Sequence, residues 1–181
     1  VVGSGPGGAI GALRSVEKGK RVILIEAGSI FPPGMIEHHS LDQTTNQFKN
    51  QGMNFCYGNI PMLYAEGSTY GGGSEVNSGL YFKLTEPHRS SFLDKCKISE
   101  DEWAKYEKKV EEILHVQKAP AGTFDGLKSA LIEGSNRNGL ICEEVPRWRT
   151  YEPIEDHKSM QVTYLKIAEE KGLDVLSDLE V

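Results

Sequence analysis

VVGSGPGGAIGALRSVEKGKRVILIEAG, residues 1–28, decides the fold class. Five of the nine positions from Gly3 to Gly11 are glycine. Glycine has no side chain to pack, so such a cluster marks backbone that turns sharply or approaches something closely. Val1 and Val2 read as the end of a strand whose beginning lies upstream, because strands usually run about 5–6 residues. With no initiator Met, the chain is expected to be a piece of a longer protein.

Outward from the glycines, Gly8 to Lys18 has helical periodicity. Ala9, Ile10, Ala12, Leu13 and Val16 share one broad face, and Gly19 stands where a C-terminal cap belongs. Arg21 to Glu26 carries a continuous apolar run, Val22-Ile23-Leu24-Ile25, as expected for a strand of a parallel sheet buried on both faces. Strand, tight turn, helix and strand make a βαβ unit. The predicted fold class is therefore α/β, a Rossmann-like domain incomplete at both ends.

Gly3-Ser4-Gly5-Pro6-Gly7-Gly8 fits G-x-G-x-x-G. Gly3 permits the turn, Gly5 lets backbone approach a pyrophosphate, and Gly8 lets helix and strand pack closely. The helix start adds free N–H groups and partial positive charge for phosphates. Glu26 ends the second strand, near the spacing at which a carboxylate accepts from ribose hydroxyls. No Arg follows it directly, so a 2′-phosphate would meet repulsion, which disfavours NADP. This motif alone leaves NAD and FAD both open.

The 181 residues are 38% hydrophobic and 25% charged, a globular rather than disordered composition. A net charge of −6, without a basic patch, speaks against nucleic acid as a partner. No apolar run reaches the roughly 18 residues of a membrane span, so a soluble protein is expected, with the cytoplasm as the favoured compartment. Cys56, Cys96 and Cys142 are widely separated and lack zinc-ligand spacing, so no metal site is expected.

From Ala27 to about Leu84 periodicity is lost in a stretch rich in Gly, Asn, Pro and Ser. It is either a flexible linker or an excursion covering a ligand. Its aromatic and apolar residues favour the second. Inside it lies Glu66-Gly67-Ser68-Thr69-Tyr70-Gly71-Gly72-Gly73-Ser74-Glu75-Val76-Asn77-Ser78-Gly79-Leu80-Tyr81. Glycines set between aromatics suggest backbone pressed against a flat ligand such as an isoalloxazine ring.

Ser99-Glu100-Asp101-Glu102 is a capping box. It opens a helix expected to bury Trp103, Tyr106, Val110, Ile113 and Leu114. A second helix is expected over 124–137 with Leu127, Ala130 and Leu131 inward. A third runs from Ser159 to Lys171 and ends at Gly172, and 174–181 should hold a strand, a turn and the start of another strand. Residues 87–151 thus form a helical insertion between the segments 65–82 and 159–181.

With the second glycine cluster the sequence resembles the glucose–methanol–choline (GMC) oxidoreductases, FAD enzymes that oxidise alcohols. That family carries G-x-x-L-G-G-S-S-x-x-N. Gly67, Gly71, Gly72, Ser74 and Asn77 match it, while Tyr70 replaces the leucine, Gly73 the first serine, and Ser68 a frequent Lys or Arg. The GGGS-x-x-N-S-G form is most similar to the bacterial and long-chain-alcohol or sterol oxidase side of the family. Ser159-Met160-Gln161-Val162-Thr163-Tyr164-Leu165 resembles its S-x-x-x-T-Y-L helix. The resemblance implies FAD as cofactor, held by the fingerprint Gly3 to Gly8 and by Glu26. It implies that Gly71, Gly72, Gly73, Ser74 and Asn77 lie along the cofactor and that the backbone of Val181 meets the adenine. It implies a small-molecule alcohol as substrate, with hydride passing from the carbinol carbon to flavin. The electron acceptor, oxygen or another carrier, is not encoded in these residues.

The family's catalytic histidine lies near its C-terminus, and no residue of this chain matches it. No catalytic residue is therefore assigned. His38-His39 reads as a solvated loop, His88 lacks a visible partner, and His115 ends a helix where a cation suits the dipole. Arg147-Trp148-Arg149 reads as a surface turn with Trp148 inward. The rival readings are an NAD-dependent dehydrogenase or other two-domain flavoprotein, and a flavin-binding remnant without catalysis.

Overall fold

The computed structural model describes residues 1–123, 125–151 and 156–181. The chain divides into two compact units, Val1–Ser78 with Lys158–Val181, and Gly79–His157. The expected insertion 87–151 falls inside the second unit, and residues 79–82 of the second glycine segment belong to it as well.

The first unit is built on parallel strands. Val2 bridges Ile25 in parallel. The chain then turns at Gly3 (φ +83°) into helix α1, Pro6–Glu17. Pro6 stands at the first turn, where its missing N–H costs nothing. Gly19, at φ +70°, stops the helix, and strand β1, Val22–Ile25, follows. Its other neighbour is the closing strand Leu173–Leu176, also parallel, in the register Val22↔Leu173 to Ile25↔Leu176. Strand, helix and parallel strand thus occur as the sequence predicts.

The core lies on one face of this sheet. Ala9, Ala12, Leu13 and Val16 of α1 are buried with Val22 and Leu24 of β1 and with Met160, Tyr164, Leu165 and Ala168. Each fully buried large side chain here contributes about 1.5–3 kcal/mol. The expectation that β1 is buried on both faces fails, because Ile23 is 43% exposed. A continuous apolar run allows burial on both sides but does not supply the second covering layer.

The segment from Ala27 has more order than its composition predicts. Helix α2, Leu41–Gln47, is capped by the Ser40 hydroxyl, which accepts from Gln43 N–H. Strands β2, Asn54–Cys56, and β3, Met62–Tyr64, form an antiparallel hairpin, and a short helix α3 spans Gly73–Val76. His38 and His39 are exposed, as a solvated loop requires. The expected helix over 159–171 is a π-helical turn, Gln161–Leu165, followed by an α-helix, Lys166–Glu170. Gly172 at φ +94° ends it. Beyond Leu176 the described chain forms no second strand. Asp178 and Leu179 instead donate to the carbonyls of Gly28 and Glu26.

The second unit contains helices α4, His88–Cys96, α5, Glu100–Ile113, and α6, Asp125–Arg137. It also contains a sheet of β4, Val116–Gln117, β5, Arg147–Thr150, and β6, Asp156–His157. Phe124, expected to start α6, lies outside the described residues. The Ser99 hydroxyl caps α5 as predicted, accepting from Glu102 N–H. The predicted inward faces do not hold. No residue of α5 is fully buried, Tyr106 is 51% exposed, and of the five expected residues only Leu114, just past the helix, is buried. Leu127, Ala130 and Leu131 of α6 are exposed too. Periodicity groups residues on a face, yet Leu93 and Leu114 are the only buried apolar side chains among this unit's described residues. Arg147-Trp148-Arg149 is not a surface turn but strand β5, paired with β4 and β6.

This unit carries a pH-sensitive cluster. Lys83 Nζ lies 2.6 Å from Glu111 Oε1 and 3.1 Å from Glu107 Oε2, and the Tyr81 hydroxyl donates to Glu111 Oε1 at 3.1 Å. The Lys83 bond holds the Glu111 carboxyl below its ordinary value of 4.5. Burial, then the bond to Glu111, pushes Tyr81 up to about 12. The Glu111 contribution is therefore complete above the ordinary carboxylate value and lost as pH falls through the lowered one. The Tyr81 contribution is complete below pH 10 and lost as pH rises through about 12. Since Lys83 is 58% exposed, the ion pair contributes under about 1 kcal/mol. Melting curves of the parent and Glu111→Gln chains should differ by a constant amount at neutral pH and converge below pH 4.5.

Candidate cofactor site

The fingerprint forms a bare helix start. Gly5, the N-cap of α1, has no side chain to cap the first turn, and that turn carries no acidic residue. Its N–H groups and the positive end of the helix dipole remain available to an anion. Gly3, at φ +83°, aims the chain into the helix. A Cβ on Gly8 would lie 1.8 Å from the Gly3 carbonyl oxygen, so Gly8 permits the close approach predicted for it. A Cβ on Gly5 or Gly7 would meet nothing within 4 Å.

Glu26, at the end of β1, is buried. Its Oε2 accepts from the Ser4 amide at 2.7 Å and the Ser4 hydroxyl at 2.5 Å, and its Oε1 accepts from Gly28 N–H at 2.8 Å. Ser4, wholly buried, also accepts from Gly71 N–H at 2.8 Å. The two glycine-rich segments therefore meet through one hydroxyl. They also meet backbone to backbone. A Cβ on Gly72 (φ +60°) would lie 2.9 Å from Gly5 Cα, and one on Gly28 would lie 2.3 Å from Thr69 N.

A cavity of about 1160 Å³ opens where they meet. Of the predicted residues, Gly3, Gly5, Glu26, Gly72, Gly73 and Asn77 line it. Ser4, Gly71 and Ser74 are buried outside that lining, and Gly8, half-buried, is not part of it. Ser74 is buried, donates to the Gly71 carbonyl at 2.7 Å and accepts from Met160 N–H at 2.9 Å, so it braces the turn. Pro6 and Gly7 are exposed on the first turn of α1. Val181 is 82% exposed and is not in the lining, whereas its neighbour Glu180 is.

Sequence reasoning missed part of this wall. Phe48 and Lys49 enter it because Phe48 bridges Gly67 antiparallel and Lys49 N–H donates to the Glu66 carbonyl. Asp178 joins from beyond the closing strand, taking a 2.5 Å hydrogen bond from the Ser29 hydroxyl. No local motif marks either segment. Tyr70 explains its own departure from leucine. It is buried, and its hydroxyl donates to Glu169 Oε1 at 2.5 Å, tying the second glycine segment to the helix Lys166–Glu170. Burial, then that bond, pushes the Tyr70 hydroxyl pKa well above its ordinary value.

Among the described residues no group of three His, Cys, Asp or Glu could hold a metal, and no helix is long and apolar enough to cross a membrane. Compared with known families, residues 7–181 match the family described as GMC oxidoreductase. The chain belongs to the GMC oxidoreductases. It is also similar to an uncharacterised GMC-type oxidoreductase, y4nJ, of Sinorhizobium fredii (strain NBRC 101917 / NGR234), at 25% identity over 203 residues. That alignment covers all of this GMC chain and 38% of the relative, so the chain spans well under half of that protein's length.

Proposed function

We propose that this chain is the FAD-binding portion, Rossmann-like in fold, of an oxidoreductase that acts on the CH–OH group of an alcohol. One observation carries the reading. A single cavity is walled by the fingerprint, by Glu26 and by the second glycine segment. Its 1160 Å³ exceeds the roughly 300–1,000 Å³ usual for small-molecule sites, which suits a long dinucleotide. The first turn of α1 would take the diphosphate, Glu26 a ribose hydroxyl, and the backbone at Gly72, Gly73 and Asn77 the flavin side. Bound flavin supplies the hydride acceptor. The chain's own residues position it: glycine backbone permits close approach, and Tyr70 and Ser74 hold that backbone in place.

The electrostatics of the wall sharpen this. Glu26, Glu66, Asp178 and Glu180 line the cavity, and Lys49 is the sole cation among its lining residues. A diphosphate there would draw on the helix dipole and on Lys49. Lys49→Met should weaken FAD binding about fivefold at low salt. The difference from the parent should shrink between about 10 mM and about 150 mM salt as screening sets in.

The reading is tested by titrating the chain with FAD while following flavin fluorescence, with NADH in a parallel titration. Saturable flavin uptake without nicotinamide uptake is expected. Nicotinamide binding without flavin uptake would favour the dehydrogenase instead.

A further inference from the structure

The glycines of the fingerprint are accounted for by turns and close approach, but Ser4 is not. It is wholly buried, yet polar. Its amide and hydroxyl both donate to one oxygen, Glu26 Oε2, and the same hydroxyl accepts from Gly71 N–H. A carboxylate offers about four acceptor directions. Ser4 takes two on Oε2 and Gly28 N–H takes one on Oε1. A single direction on Oε1 is left, on a residue that lines the cavity.

We propose that Ser4 is a positioning residue. Its hydroxyl aims the last acceptor direction of Glu26 at a ribose hydroxyl and at the same time pins Gly71, so one side chain sets both the sugar end and the flavin end of the site. The inference rests on the flavin-dinucleotide reading above. Without the hydroxyl, Glu26 is held only by the amides of Ser4 and Gly28, one on each oxygen, and its orientation is less tightly fixed, while the buried Gly71 N–H loses its acceptor. Alanine therefore loosens the two ends together. Threonine keeps the oxygen and should restore both.

The test is a double-mutant cycle read by FAD titration of the full chain, with Ser4→Ala, Glu26→Gln, the double variant and Ser4→Thr. Ser4→Ala should weaken FAD about tenfold, the size expected for a hydrogen bond to a charged group. The double variant should bind more weakly than Glu26→Gln, but by clearly less than the roughly tenfold of Ser4→Ala alone, because the sugar-end share of the Ser4 loss is already gone in Glu26→Gln while the Gly71 share remains. Visible circular dichroism of bound FAD should change in Ser4→Ala but not in Glu26→Gln, reporting the released Gly71 segment. Should Ser4→Ala fail to fold, Ser4→Cys keeps the shape with a weak donor and takes its place in the cycle. If the folded parent takes up no FAD, the flavin reading itself fails and this inference with it. If the parent binds FAD but the two losses multiply, or Ser4→Ala binds like the parent, the flavin reading stands and the role of Ser4 is overturned.

Discussion

Gly8→Ala is expected to abolish flavin binding and to destabilise the chain by about 3 kcal/mol or more. Adding a methyl to a tight core usually costs about 1–3 kcal/mol, because side chains give way. Here the new Cβ would fall 1.8 Å from the Gly3 carbonyl oxygen, and backbone cannot change rotamer. Helix α1 would have to lift from the first turn, moving Ala9, Ala12 and Leu13 out of the core with it. The neighbouring glycines provide the contrast. Gly7→Ala lies exposed inside α1 with open space at its Cβ, and should leave stability unchanged or raise it by up to about 1 kcal/mol. Gly5→Ala, at an ordinary φ of −59° and also in open space, should cost under about 1 kcal/mol. Because Gly5 lines the cavity, that variant should still lose FAD affinity. Thermal melts with and without FAD separate the three outcomes. A Gly8→Ala chain that melts like its parent would refute the packing argument.

What the sequence made legible here follows from range. The turn at Gly3, the helix after it and the Ser99 cap rest on interactions within three or four residues, and all three occur as read. The parallel pairing of Val2 with Ile25 was legible because the helix between them is short and amphipathic. Burial was not. The periodicity of α5 correctly groups Trp103, Tyr106 and Val110 on one face, but no local pattern states what covers that face. The site divides in the same way. Gly3, Gly5, Glu26, Gly72, Gly73 and Asn77 line the cavity because motif glycines mark where backbone must come close. Ser74 shares the motif yet faces the core, since a motif names a segment and not the direction of each side chain. Lys49 and Asp178 carry no motif at all. A pairing of Phe48 with Gly67 and a hydrogen bond from Ser29 bring them in, and such long-range contacts are visible only once the chain is folded.

Glu26→Ala is the second large effect, and it should strike stability and binding by separable routes. The carboxylate takes three hydrogen bonds in a buried setting, two of them from the backbone amides of Ser4 and Gly28. Alanine leaves both amides without an acceptor, at about 1–3 kcal/mol for each group that water cannot reach. A loss of about 3 kcal/mol is therefore expected in denaturant unfolding without ligand. Glu26→Gln keeps the shape and one acceptor oxygen, and should recover about half of that loss, because only one of the two backbone amides regains an acceptor. FAD binding should not recover to the same degree. An amide NH₂ would face donors at Ser4 or at Gly28, and the remaining oxygen would be drawn to them rather than to a ribose hydroxyl. Glutamine should thus recover about half of the stability that alanine loses, since the donor facing its NH₂ stays unpaired, yet bind FAD about tenfold or more weakly than the parent. If glutamine restored affinity as fully as stability, Glu26 would be a brace for the turn and not a contact for the cofactor. If it restored neither, the negative charge itself would be required to hold Ser4 and Gly28 together.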